Sequence, residues 1–310
     1  MTTSPRTVSA ALRQRGFSLT ELMISLLLGT LMIAGALTIF LHSRIAWQSV
    51  ENIAGLEERL AYALSEIEQD VRHAGYWGQH ASSELIAGSG EVPVRCNGNN
   101  IDAWALDLSA AIEATDGLFD LPCPPHSSHV ANSDTLTLRF AQPDFALPDE
   151  EFIRLASSPS AGRIVDAGEP VGSDELLFNL AVRSWYLDGK SSEHGLYGLR
   201  RYTLVKGGLL QNQEIIPGIE DFQISLGVDR DADGLIDGFI DADKTDSAST
   251  VLAVRIWLLA RTAAPEPGHV DNGSWQSIDD ETTPLPRPRD SFRRQSAERT
   301  IWLRNQPEAY

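Results

Sequence analysis

The residues of this chain best suited to chemistry form one acidic run, Asp229-Arg230-Asp231-Ala232-Asp233-Gly234-Leu235-Ile236-Asp237. Carboxylates at alternate positions, a glycine for a sharp turn and another Asp three residues later make the start of a calcium loop. A hard cation takes about six to eight oxygens. Asp229, Asp231, Asp233, the Leu235 carbonyl and Asp237 offer them. Where an EF-hand has its bidentate Glu, this chain has Ile240, with Asp241 one residue further and Asp243 and Asp246 within reach. The competing reading is an acidic hairpin tip turned on Asp233-Gly234, an ordinary turn pair. Crowded carboxylates repel one another without a cation, so Ca2+ is the cofactor the run predicts.

Two cysteines, Cys96 and Cys123, enclose a loop of 26 residues. In an oxidising compartment they read as a disulfide, which stabilises a loop of that size by roughly 3 kcal/mol in the chain-entropy model. The string Cys123-Pro124-Pro125-His126-Ser127-Ser128-His129 also suggests a metal site, but its prolines and the shortage of further ligands count against it. No catalytic residue set stands out: there is no Gly-x-Ser-x-Gly, no His-Glu-x-x-His and no phosphate-binding glycine loop. The chain reads as a non-enzyme.

The elements that would carry these residues begin with an apolar run. From Leu22 to Leu41 there are twenty residues without Asp, Glu, Lys, Arg or His. As a helix they span roughly 30 Å, the thickness of a bilayer core. Arg6, Arg13 and Arg15 precede the run with no acidic residue, which keeps that end cytoplasmic and sends the rest of the chain across the membrane. Glu21 sits at the edge of the run, where a charge is costly and calls for a partner. A cleaved secretory signal is the rival reading, yet the core is long for one and no Ala-x-Ala follows it. A plain single-span anchor is the second rival, and periodicity does not exclude it.

Beyond the run, Ile53, Leu56, Leu60, Leu64, Ile67, Val71 and Ala74 recur every three or four residues, aligning one apolar face. Glu57, Glu58, Arg59, Glu66, Glu68, Gln69, Asp70 and Arg72 fall between them as a solvated face. Gly75 suits the helix end. A helix from Leu22 to Ala74, with Gly29, Gly35 and Gly55 as weak points, would dock its second half on a globular domain. A coiled coil is the competing account, but the stripe lasts only three heptads. Strands are expected over Asp134–Phe140, Leu176–Leu180, Ala181–Leu187, Leu199–Val205, Ile219–Val228 and Val251–Ala260, the last central. Ala263–Asp290 reads as a long loop and Ser291–Leu303 as a terminal strand. One long helix followed by many antiparallel strands makes an α+β fold with the helix on one sheet face.

The formal charge is −18, and about −21 without the first sixteen residues, which argues against non-specific nucleic-acid binding. Arg287, Arg289, Arg293, Arg294, Arg299 and Arg304 could mark a DNA-contacting strip. Asp279, Asp280 and Glu281 just upstream and the acidic whole make nucleic acid a poor partner.

The string Gly16-Phe17-Ser18-Leu19-Thr20-Glu21-Leu22-Met23-Ile24 resembles the prepilin signal of type IV pilins and type II secretion pseudopilins. That resemblance implies cleavage between Gly16 and Phe17 by an inner-membrane peptidase, N-methylation of Phe17, and a role in assembly for Glu21. Gln69-Asp70-Val71-Arg72-His73-Ala74-Gly75-Tyr76-Trp77-Gly78, Val251–Arg261 and Arg299–Asn305 resemble segments of the PilW family of minor pilins. Gln79 departs from that pattern, standing where many relatives have a cysteine, so the family's cysteine pairing does not simply carry over.

The resemblance implies a type IV pilin-like division: a leader over 1–16, a transmembrane and filament-core helix over 17–42, an amphipathic helix over 43–75 and a β-rich domain over 76–310. It also implies pilus-assembly initiation near the filament tip, in support of twitching motility and adhesion. The implied partners are other minor pilins, the major pilin, the prepilin peptidase, the assembly platform and a large tip adhesin. The alternatives are a J-class minor pseudopilin of type II secretion and, if the leader stays uncleaved, a bitopic periplasmic adhesin or enzyme domain.

Overall fold

The computed structural model describes residues 16–80, 82–87, 92–142, 151–166, 169–173, 175–244, 250–273, 275 and 289–305. The leader arginines, Arg287, Asp246 and the acidic triplet at 279–281 lie outside them. The chain divides into two compact units, Met1–Glu51 and Asn52–Tyr310. Helix α1 (Leu19–His73) starts in the first and ends in the second.

In the first unit the large apolar side chains from Leu22 to Leu41 are exposed. By length and composition this stretch can cross a membrane. Helical structure runs through Gly29, Gly35 and Gly55, so the expected weak points do not interrupt it.

The second unit holds two sheets. The larger runs β1 (Ile86–Ala87), β7 (Gly162–Val165), β6 (Arg154–Ser157), β8 (Leu176–Asp188), β9 (Gly198–Val205), β10 (Leu209–Pro217), β2 (Arg95–Cys96), β3 (Asn99–Asn100). β5 (Thr135–Gln142) pairs with β8 and carries β4 (Ile112–Thr115). The smaller sheet runs β12 (Gly238–Asp241), β11 (Ile219–Asp229), β13 (Thr250–Arg261), β14 (Arg294–Trp302). Pairing is antiparallel except for β1 with β7 and β2 with β10. The α+β expectation is borne out, with β13 central in its sheet.

Alternation explains the layers. Leu136, Leu138, Phe140 and Trp185 of the large sheet and Ile224, Ile256 and Leu258 of the small one bury against Leu60, Leu64, Ile67 and Val71 of α1 in one core. The other face of the large sheet carries Val182, Tyr186, Tyr202 and Leu204, packed with Val94, Ala105 and Leu108 in a second core. The docked-helix reading of the stripe holds.

The structure also corrects the sequence reading. Leu176–Asp188 is one strand of 13 residues, because nothing at Leu180-Ala181 breaks the chain. β10 escaped notice because its middle, Gln211-Asn212-Gln213-Glu214, is polar, as suits its place near the sheet edge. Asp70, placed on the solvated face, has no exposed surface. It follows Ile67 by three residues and precedes Ala74 by four, so it lies in the buried stripe.

Candidate functional site

Three places concentrate function-bearing side chains, and each is built by its local sequence. At the start of α1, Ser18-Leu19-Thr20-Glu21 has the Ser-x-x-Glu pattern of a capping box and forms its Glu21 half. The Ser18 amide donates to Glu21 Oε2 at 3.4 Å, and Leu22 N donates to Ser18 O. Glu21 therefore folds back over the first turn, toward the end of the chain where Gly16 and Phe17 lie. Gly16 and Phe17 are exposed ahead of the helix, as a peptidase would need.

The acidic run forms the loop from β11 to β12. Asp229, the last residue of β11, accepts from the amides of Asp231 (3.2 Å), Ala232 (2.7 Å) and Gly234 (2.8 Å). Burial opposes its charge, and these amides outweigh that, holding its carboxyl below the ordinary value. Asp237 accepts from the Arg230 amide at 2.7 Å, and Asp233 from the Leu235 amide at 2.8 Å. Ala232 (φ 60°) and Gly234 (φ 81°) both take left-handed backbone, so the loop is not the two-residue turn that Asp233-Gly234 alone suggests.

Oxygens of Asp229, Asp231 and Asp237 converge within 4.8 Å of one another. The charge of Asp233, then burial, then Asp237 push the Asp231 carboxyl above its usual value. Asp233 and Asp241 are outside this trio. Asp241 sits in β12 and pairs with Lys244. Leu235 exposes its side chain.

The third place is Asp70. Its carboxylate accepts from Arg183, from Trp185 Nε1 at 3.0 Å and from Arg201 at 3.4 Å, and Arg201 also reaches Glu66 at 3.5 Å. β8 supplies the first two and β9 the third. Burial pushes the Asp70 carboxyl up against the pull of Arg183 and Arg201. The cluster ties the helix to the large sheet.

Cys96 and Cys123 are joined, with Cα atoms 5.8 Å apart. Tyr202 donates to Pro124 O, and the His126 amide donates to Tyr186 Oη at 3.0 Å, so the stapled segment lies on the sheet. His129 Nε2 bonds Ser133 Oγ at 3.0 Å. Cys123 is held in the disulfide, and among the described residues the string after it gathers no set of three metal-ligating side chains. Three of the late arginines pair internally: Arg293 with Glu266, Arg294 with Glu220, Asp271 and Asp290, and Arg299 with Glu68.

Residues 12–37 match the family model described as the prokaryotic N-terminal methylation motif. Residues 188–305 match the model PilW, type IV pilus-assembly protein W. The chain thus carries a PilW region behind a prepilin-type start. The PilW region contains two of the three segments that the sequence singled out, Val251–Arg261 and Arg299–Asn305. It spans β9 to β14, including the acidic loop and the whole small sheet. No curated protein matches the chain. Among solved structures, the type IV-like pilin TTHA1219 from Thermus thermophilus aligns at 12% identity over 81% of this chain and 96% of that one, with a TM-score of 0.37.

Proposed function

We propose that this chain is a minor pilin that acts in initiating type IV pilus assembly near the filament tip. The observation that carries the reading is the methylation motif on an exposed apolar helix whose second half docks on a domain containing the PilW region. In this reading the helix waits in the inner membrane with the β-rich domain across it. It then enters the filament core beside other minor pilins and the major pilin, where neighbours bury its apolar side chains. The prepilin peptidase cuts between Gly16 and Phe17, and the new amine at Phe17 is methylated. Glu21 pairs with that amine, on its own chain or a neighbour, so no bare charge enters an apolar core. The role is structural, and support for twitching motility and adhesion follows through the filament and its tip adhesin.

The test is the amino terminus of the membrane form. Mass spectrometry in a peptidase-competent host should find the chain starting at methylated Phe17. Retention of Met1 would sink the reading. Glu21→Ala should insert normally yet enter filaments poorly, measured as its share of sheared pili, and normal incorporation would remove Glu21 from the mechanism.

A second reading concerns the loop at Asp229. The convergence of Asp229, Asp231 and Asp237 favours a bound Ca2+, with the loop amides already holding Asp229 ionised. The cation would clamp the turn between β11 and β12.

A further inference from the structure

The end of α1 is held by the other end of the chain. Asn305 Nδ2 faces three helix-end carbonyls, Arg72 O at 3.3 Å, His73 O at 3.4 Å and Ala74 O at 3.3 Å. These are among the acceptors a helix end leaves without intrahelical partners. Two more side chains of the same C-terminal segment reach the helix further back: Arg299 pairs with Glu68, and Gln295 Nε2 donates to Glu57 at 3.2 Å. One face of β14 thus follows three turns of α1, while Ile301 enters the core shared with Leu64, Ile67 and Val71.

β14 is an edge strand of the small sheet. It pairs only with β13. Of its nine residues only Arg294 and Ile301 are buried, whereas seven of the twelve in β13 are. Few buried contacts and an open edge mark low local stability, which opens without global unfolding. The large sheet grips the helix separately, through Asp70 and through Gly75 N on Arg139 O (3.1 Å).

We propose that β14 with Asn305 is a strap that closes over α1 and opens on its own, so that the last turns of the helix have their second hold only while the strap is shut, and keep the large sheet's grip at Asp70 and Gly75 when it opens. The device makes full docking of the helix depend on the segment from Arg294 to Asn305 being in place. With that segment displaced, the helix end is uncapped and its apolar stripe loosened, while the large sheet keeps its fold. This inference is independent of the pilus reading, because it concerns contacts within one chain.

Hydrogen exchange on the full-length protein in detergent tests it, comparing the wild type with the double variant Asn305→Ala, Arg299→Ala. Both side chains are on the strap's outer contacts, so the variant folds. Losing two polar contacts of ordinary strength should speed exchange of the amides over 67–74 by about tenfold. Amides of β5, β8 and β9 should keep their wild-type rates. Unchanged exchange at the helix end would overturn the proposal, and so would a uniform rise across both sheets.

Discussion

Asp70 and Asp229 are both aspartates with almost no exposed surface, and the molecule balances their charges in opposite ways. Around Asp70, two arginines and an indole from β8 and β9 supply the counter-charge. Among the described residues, Asp229 accepts from backbone amides of its own loop, and its carboxylate neighbours, Asp231 and Asp237, add negative charge. A carboxylate paid for by side chains from distant strands fixes tertiary structure. One held by local amides, among other carboxylates, leaves a surplus that an external cation can neutralise.

The largest expected effect breaks the first half of this contrast. Asp70→Ala leaves Arg183 and Arg201, both mostly buried, without their central partner. Removing one member of a buried pair costs about 3–5 kcal/mol. Thermal melting should fall by many degrees, and the loss should be largest in protection of α1. A change under about 1 kcal/mol would mean that the arginines re-pair with Glu66 and that Asp70 is not the tie.

Asp221 sharpens the comparison, because it has neither arginine partners nor a cluster. It is 8% exposed and accepts from Gln223 Nε2 and the Phe222 amide, each at 2.8 Å. Burial, helped by the nearby charge of Glu220 and opposed by those two bonds, raises its carboxyl to about 6. At pH 7 the folded state must ionise a group it prefers protonated, at a cost of up to about 3 kcal/mol. Above about pH 6 that cost is present in full. It fades as the pH falls toward the unfolded carboxylate value near 4, where both states hold the proton. Asp221→Asn should therefore be more stable than wild type at pH 7 and equal to it near pH 3.5. Urea denaturation at both pH values measures this, and a variant no more stable at pH 7 would show Asp221 already compensated.

These contrasts show what the sequence made legible. The stripe from Leu56 to Val71 was readable because apolar spacing alone records a buried face. Asp70 was not, since a charge in a stripe looks like an error until Arg183 and Arg201 appear beside it from more than a hundred residues away. Local signals also served the acidic run: Asp229, Asp231 and Asp237 lie close enough in sequence for the turn to gather them. Asp241 lies outside that group, its place decided by pairing with Ser225 in β11 and by Lys244. The polar β10 carried no alternation to detect. The contact of Glu21 with the Ser18 amide is local, and its Ser-x-x-Glu pattern is legible in the sequence.

The smallest expected effect tests the second half of the contrast. If the loop at Asp229 takes Ca2+, binding to the folded form alone raises the folding equilibrium constant about a hundredfold at a hundredfold excess over the dissociation constant. The protein should melt higher in millimolar calcium than in chelator. Asp231→Ala should erase most of that difference, because Asp231 adds a ligand yet accepts just one long bond, from the Asp233 amide at 3.3 Å. Asp229→Ala would be a poorer probe, since it also strips three amides of their acceptor. Magnesium should substitute poorly, because it demands a tighter octahedral shell than calcium. Identical melting in calcium and chelator, with no heat of binding by calorimetry, would make the loop a self-satisfied acidic turn. The amides on Asp229 would then suffice alone, and the contrast with Asp70 would reduce to where the donors come from.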